Sequence, residues 1–505
     1  MTGFISRLPF FVLLLGIGAA AMMVPAAHGL AIRDHATSRA FFYSSLLFLV
    51  LFWLIAIATS NTRVRRQGRA HLIALVGAYT ALPAMLAFPV AEATAAPSFF
   101  DTYFEMVSSL TTTGATLFDP ETLPPSVHLW RAIVGWMGGL LVWITAAAVL
   151  APLNLGGFEV RSDAEIGLGA VETTQIARVA DMSHRVKRFT GQLFPIYVGL
   201  TVALWAALFL TGATPLVAIS HAMSVVSTSG ISPVGGIADG DSNIAGEAII
   251  LVFFLFAISR VSFVREERVG GWRSLGTDAE IRLGLTIVIV VPLLLFLRHW
   301  SGAIELAGTS DFVSGLRSYW GGLFTVASFL STTGFESTYW ESAMFWSNLG
   351  TPGLILMGLA VLGGGVGTTA GGVKLLRVYA LYQHGLREMQ KLGHPSSIGG
   401  AGPMGRKLRR QGAYVAWVFF MLFAITIAAV MAALAVTGLN FEDSLVLTIA
   451  ALSTTGPLVH TATEGTIELQ KLPETAKAVM AFAMVVGRLE TLAIIALLNP
   501  NFWRT

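Results

Sequence analysis

Four short windows in this chain have three hydroxyl residues followed by glycine: Thr111-Thr112-Thr113-Gly114, Ser227-Thr228-Ser229-Gly230, Ser331-Thr332-Thr333-Gly334 and Ser453-Thr454-Thr455-Gly456. The second position is Thr every time. One such window alone reads as a surface turn. Four at matching places in four matching stretches demand a repeated structural unit. Each window follows a short amphipathic stretch, at 97–110, 213–226, 315–330 and 440–452. Asp101 and Glu105, Thr214 and Pro215, Ser314, and Asn440, Glu442 and Asp443 supply helix-start residue types there. At a rise of 1.5 Å per residue such helices are roughly 18–22 Å long, too short to cross about 30 Å of hydrocarbon.

The solvent of the fold follows from composition. Of 505 residues 54% are hydrophobic and 12% charged, against about 25% charged in soluble domains. So few charges cannot cover a water-facing surface. Runs at 41–59, 72–90, 193–211, 245–258, 284–297, 413–436 and 476–498 carry little or no charge, and most are long enough to span a bilayer. A full span precedes each short helix and another follows each window. The unit is span, half-helix, extended loop, span. Four units give eight spans, and stretches near 8–27 and 40–60 add two more. The expected fold class is an all-α polytopic membrane protein with four pseudo-repeats around a central pore. Its divisions are two N-terminal spans (1–69) and pore repeats at 70–160, 161–266, 267–392 and 393–505. Arg7, the apolar run Leu8–Val24 and the small Ala26 and Ala27 also fit a cleaved signal peptide. A retained first span is the reading adopted, and both readings put the N-terminus in the cytoplasm.

Charge placement agrees with ten spans. With the N-terminus inside, the segments 61–71, 159–190, 259–282, 374–412 and the C-terminus hold, with Arg7, about three quarters of the Lys and Arg, as the positive-inside rule requires. Most Asp and Glu fall on the opposite side, where the windows open. An acidic mouth there raises the local cation concentration, or simply holds the acids that the cytoplasmic loops lack. There are no cysteines, which removes thiolate chemistry, disulfides and Cys-ligated metals. His-Glu-x-x-His and Walker-type patterns are also missing, so nothing in the sequence supports an enzyme or an ATPase.

The windows suit a dehydrated monovalent cation. Rings of backbone carbonyls replace a hydration shell, and irregular backbone at membrane depth is tolerated where it lines a watery cavity. Glycine supplies the φ > 0 needed to turn carbonyls inward. The β-branched threonines are expected to hold extended conformations, with their hydroxyls satisfying backbone groups behind the loop. The candidate ion-binding residues are all sixteen positions of the four windows. A second candidate element follows the third window: Gly363-Gly364-Gly365-Val366-Gly367-Thr368-Thr369-Ala370-Gly371-Gly372. Each glycine costs a helix about 1 kcal/mol relative to alanine, so this stretch reads as a broken helix and a gate. Close helix packing through small residues is its structural alternative. Arg488, inside the last apolar run, is expected to touch that loop or repel a cation; its alternative is a structural pair with Glu490 or the backbone. Glu336 is either a mouth acid or an ordinary loop acid. His221 and His460 read as packing or surface residues.

Over nearly the whole chain this pattern resembles the Trk/Ktr/HKT family of potassium-uptake transporters, in its Trk branch. The resemblance rests on the four windows, the two extra N-terminal spans, and Trp136-Met137-Gly138-Gly139 opening a span after the first window. It implies K⁺ as the transported ion, with Gly114 favouring K⁺ over Na⁺, and no covalently bound cofactor. It implies weaker Na⁺ rejection than in channels with two glycines per filter. It also implies a multi-pass bacterial inner-membrane protein with both termini cytoplasmic, a homodimer in membrane lipid with one pore per protomer, and a cytoplasmic nucleotide-binding regulatory ring on the basic segments 161–188 and 374–412. No nucleic-acid partner is expected. The glycine-rich segment would be an intramembrane loop below the filter, and Arg488 a pore-facing arginine. A Na⁺- or H⁺-coupled K⁺ symporter, or a poorly selective K⁺/Na⁺ transporter, is the competing reading.

Overall fold

The structure is a computed structural model that describes residues 8–60, 67–94, 98–151, 157–158, 182–238, 240, 243–259, 278–303, 312–347, 351–394, 412–462 and 467–490. Arg7, the segments 61–66, 159–181, 260–277 and 395–411, and the C-terminal residues 491–505, which hold many of the basic residues expected in the cytoplasm, lie outside the described residues. The described residues are helical and loop, with no strand among them.

Among the described residues, seven helices are long and apolar enough to cross a bilayer: Phe10–Ala31, His35–Thr59, Leu72–Ala93, Pro125–Leu150, Arg185–Leu210, Ala279–Arg298 and Gly412–Val436. At the three other places where ten spans were expected stand shorter helices, Ile244–Ile258, Pro352–Leu362 and Glu474–Leu489. Pro352–Leu362 is short because Gly363 ends it in a left-handed conformation (φ +69°) that a helix cannot continue. The chain is a polytopic membrane protein. Large apolar side chains such as Leu46, Leu54, Ile57, Leu294 and Ile425 stand exposed on the spans, where lipid rather than water covers them.

The four half-helices are Phe99–Leu110, Pro215–Ser227, Phe312–Leu330 and Phe441–Leu452. Their starts follow capping chemistry. Ser98 Oγ accepts the Asp101 N–H at 3.2 Å, Asn440 accepts the Asp443 N–H at 2.7 Å, and Pro215 occupies the first helical position. Ser314 does not start the third half-helix; that helix begins at Phe312 and runs for 19 residues.

Each half-helix packs between the two spans of its own repeat and also touches one helix of the preceding repeat. Pro125–Thr145 packs on the second, Ile244–Ile258 on the third, Pro352–Leu362 on the fourth, and Glu474–Leu489 on the first, which closes the circle. Glycine makes two of these approaches possible. A Cβ on Gly138 would lie 2.0 Å from the Leu110 carbonyl oxygen, and one on Gly487 would lie 2.3 Å from that of Leu452. The two positions are equivalent: in both, the span after the window leans on the last residue of its own half-helix. The N-terminal pair packs beside the first repeat, with Ser45 Oγ bonded to the Ala19 carbonyl at 2.8 Å and Ser38 Oγ to that of Ala26 at 2.8 Å.

Candidate functional site

The four windows converge. A Cβ on Gly114 would lie 1.8 Å from the Ser229 carbonyl oxygen, and one on Gly230 would lie 2.3 Å from that of Thr333. One on Gly334 would lie 3.0 Å from the Pro457 side chain, and one on Gly456 would lie 2.1 Å from the Ala115 nitrogen. Window one thus meets window two, two meets three, three meets the residue after four, and four meets one. All sixteen residues are buried except Gly114, which is half-buried.

The local geometry repeats with the sequence. In every window the second N–H bonds to the carbonyl three residues back, and the third N–H to the carbonyl five back: Thr112 to Ser109 and Thr113 to Ser108 in the first, Thr454 to Ala451 and Thr455 to Ala450 in the fourth. This is the Schellman closure of a helix C-terminus. It requires a left-handed residue at the second position, and Thr112, Thr228, Thr332 and Thr454 all adopt it, with φ of +54°, +53°, +60° and +53°. The expectation of extended threonines therefore fails at these four positions. The helix ending, not the β-branch, fixes the backbone, and a β-branched residue in this region stores strain on the order of 1–3 kcal/mol. The hydroxyls support the turn. The first and third of each window approach one another: Thr111 and Thr113 at 2.9 Å, Ser227 and Ser229 at 3.1 Å, Ser331 and Thr333 at 3.0 Å, Ser453 and Thr455 at 3.3 Å. Gly114, Gly230 and Gly334 are also left-handed, at +75°, +66° and +81°. Gly456 is not left-handed. Its N–H instead donates to the Thr113 carbonyl at 2.6 Å across the ring.

Below the ring, Gly363–Lys374 is unwound between the helices Pro352–Leu362 and Leu375–Gly393. Gly363, Gly367 and Gly372 take φ of +69°, +70° and +76°. Gly364 and Gly365 press on the end of Ile244–Ile258, where a Cβ would meet the Ala257 and Ile258 carbonyl oxygens at 2.5 and 2.2 Å. Gly365 N–H and Thr368 Oγ1 bond to the Ala257 carbonyl at 2.9 and 3.0 Å. The loop also reaches upward. Thr369 Oγ1 donates to the Val226 carbonyl at 3.2 Å, Gly371 N–H donates to Thr332 Oγ1 at 2.8 Å, and a Cβ on Gly371 would lie 2.2 Å from the Ser453 carbonyl oxygen. The glycine run therefore sits directly under windows two, three and four. Glu280 Oε1 accepts the Val366 N–H at 2.8 Å and holds the loop from the first turn of Ala279–Ala303.

Arg488 is buried on Glu474–Leu489, with Tyr79, Tyr197 and Glu490 as its electrostatic neighbours, and among the described residues no hydrogen bond reaches its Nε or Nη2. Lys374, at the exit of the glycine loop, feels its charge. Glu490 pairs with Arg377 at 2.8 Å, and Arg377 stacks 3.6 Å over the Phe419 ring. The Arg488–Glu490 ion pair set out as the alternative is thus replaced by one from Arg377. Glu336 is half-buried and accepts the Thr461 hydroxyl, linking the segments after windows three and four. His221 is buried with Nε2 2.8 Å from Ser232 Oγ, and His460 is exposed. Other buried acids are engaged: Asp101 with Lys477 at 2.7 Å, Glu105 with Arg131 at 2.6 Å, and Glu247 with Thr338 N–H at 2.7 Å. Sequence reasoning had no view of these partners, since each pair joins two different helices or a helix and a loop, and no local pattern records the contact.

Comparison with known proteins agrees with this architecture. A family model described as TrkH, cation transport protein, matches residues 283–504. The Trk system potassium uptake protein TrkH of Vibrio parahaemolyticus is 29% identical over 98% of each chain. The protein of the same name from Escherichia coli K12 is 27% identical over 96% of each, and the TrkG of that organism 27% over 92% of each. The crystal structure of the potassium transporter TrkH from Vibrio parahaemolyticus superposes with a TM-score of 0.82, at 26% identity and 99% coverage of both chains. With four converging windows, the chain is similar along its whole length to the TrkH potassium uptake proteins, and over residues 283–504 to the TrkH cation transport family.

Proposed function

We propose that this protein takes up K⁺ through the ring of four windows, with the glycine loop as the gate beneath it. The observation that carries the reading is the closed circuit of contacts from Gly114 through Ser229, Gly230, Thr333, Gly334 and Gly456 back to Ala115. A single passage lined by four backbone segments ligates a bare cation without a fixed anion, so the ion binds and still leaves. The half-helices end at this ring, and the partial negative charge of their C-termini favours a cation there. The residues that would ligate K⁺ are those of the windows, and the protein is a transporter rather than an enzyme.

The buried acids argue against an ion-coupled symporter. Proton- and Na⁺-coupled machines keep exchangeable carboxylates in the membrane, whereas Asp101, Glu105 and Glu247 are committed to a lysine, an arginine and a set of hydrogen-bond donors. A homodimer with one pore per protomer, a nucleotide-binding ring on the cytoplasmic face, and an inner-membrane setting with both termini inside complete the proposal. Uptake by proteoliposomes of the purified protein tests it, comparing K⁺, Rb⁺, Na⁺ and Li⁺. K⁺ and Rb⁺ are expected to enter in preference to Na⁺ and Li⁺; equal entry of all four sinks the K⁺ reading, and no entry of any sinks the pore.

A further inference from the structure

The chain that leaves a window must pass through a buried region before it reaches the outer surface. Its backbone N–H groups need acceptors there. In three repeats a side chain at one fixed place, six residues before the window, serves them: in two it is the acceptor itself, and in the third it bonds to the serine hydroxyl that accepts. Glu105 Oε2 accepts the Leu117 N–H at 3.0 Å. Thr325 Oγ1 accepts the Ser337 N–H at 3.2 Å. His221 Nε2 lies 2.8 Å from Ser232 Oγ, which in turn accepts the Val234 N–H at 3.2 Å. Leu117 and Ser337 stand at the same distance past the start of their windows, and Ser232 one residue closer. Glu105, His221 and Thr325 are all at most 1% exposed.

The fourth repeat explains the pattern by contrast. Its residue at that place is Leu447, buried and apolar. No acceptor is needed, because the chain coils on itself after Gly456: Leu458 N–H bonds to the Thr455 carbonyl at 3.2 Å, Val459 to Gly456 at 3.0 Å and His460 to Pro457 at 3.0 Å. Where the outgoing segment satisfies its own backbone the half-helix offers a hydrocarbon. Where it does not, the half-helix offers a polar side chain that holds the outgoing segment. Two of the clamps are backed from outside: Arg131 holds Glu105 at 2.6 Å, and Glu247 takes the Ser337 hydroxyl at 2.8 Å.

We propose that Glu105, His221 and Thr325 are positioning residues of the filter, each pinning the outer end of its window so that the carbonyls keep the spacing that separates K⁺ from Na⁺. They touch no ion. The proposal rests on the windows being the filter. Carbonyl selectivity depends on how far the ligands relax toward a smaller ion, and a window tied to its half-helix at one end only relaxes further.

Thr325→Val, which removes one hydroxyl at nearly constant volume, is the cleanest test. Rb⁺ uptake into proteoliposomes is measured in competition with K⁺ and with Na⁺. The K⁺-over-Na⁺ preference is expected to fall about fivefold, the worth of one hydrogen bond, with total Rb⁺ uptake maintained, and Thr325→Ser is expected to restore it. A structural role alone would lower uptake and leave the preference intact, and that result overturns the proposal. If Thr325→Val does not assemble, His221→Phe, which keeps a ring against Phe335 and drops the bond to Ser232, is held to the same standard, with His221→Gln as its rescue. Failure of the unsubstituted protein to prefer K⁺ removes the filter reading itself, and is distinct from an unchanged preference in the variants.

Discussion

In the first three repeats the window glycine is left-handed and the outgoing chain is non-helical, clamped by a polar side chain of its half-helix. In the fourth, Gly456 has no positive φ, Pro457 follows it, and a helical turn Leu458–Thr461 begins. Windows one to three are therefore held by their own half-helices. Window four closes on its own half-helix at Thr454 and Thr455, but its glycine is held by the neighbouring window, through the 2.6 Å bond from Gly456 N–H to the Thr113 carbonyl. That carbonyl is one of the oxygens a filter would present to an ion, so a cation at this level competes with Gly456 N–H for it. Four-fold repetition of sequence produces a four-fold ring of contacts, yet the ring has three stiff walls and one that answers to the first.

Six substitutions, arranged as four tests, probe this difference, from the largest expected effect to the smallest. Gly114→Ala places a Cβ 1.8 Å from the Ser229 oxygen and forces φ near +75° on an L residue. K⁺ uptake is expected to drop more than about tenfold, since both the space and the dihedral are lost. Gly456→Ala loses only the space and should retain more uptake; the reverse order would mean that window four is the stiff one. Arg488→Ala is next. Removing a buried cation with an incomplete set of partners from below the ring should raise uptake several-fold, and normal expression with unchanged uptake would remove Arg488 from the barrier. The third is a pair. Thr332→Val deletes the acceptor of Gly371 N–H, and a net bond of ~1 kcal/mol predicts about fivefold faster uptake through a loosened gate. Thr454→Val removes a hydroxyl that has no hydrogen-bond partner and should change uptake little. Equal effects from the two would deny that the loop hangs from window three. Smallest is Pro457→Ala, which frees the turn after window four at about 0.5–1 kcal/mol in unfolding stability; a thermal-shift measurement on the detergent-solubilised protein reads it.

The windows, the half-helices and the broken helix could be read from the sequence because each recurs or violates helix propensity in a single contiguous stretch. The left-handed threonines could not. A Thr preceding a Gly suggests an extended strand, and only the fact that Leu110 or Leu452 ends a helix converts the next turn into a Schellman closure. The signal was nonetheless there: a half-helix running straight into a window must end somewhere, and no glycine stands at the second position. The clamps were hidden for another reason. Glu105, His221, Thr325 and Leu447 share a place and no chemistry, so a search for similar residues passes over them. Arg377–Glu490 and Lys477–Asp101 join residues more than a hundred positions apart, and nothing local announces such partners.

The packing of Glu474–Leu489 on Phe99–Leu110, pinned by Lys477 on Asp101 at 2.7 Å, carries a cost in time. The ribosome releases the first half-helix long before it makes the helix that completes its surroundings. Until then Asp101 sits in the translocating chain as a carboxylate with no lysine to neutralise it, and the first window has an open flank. A nascent chain in that condition needs a guardian or a fast second half. Slowing translation between residues 110 and 474 should therefore harm yield more than slowing it at any point after the buckle has closed.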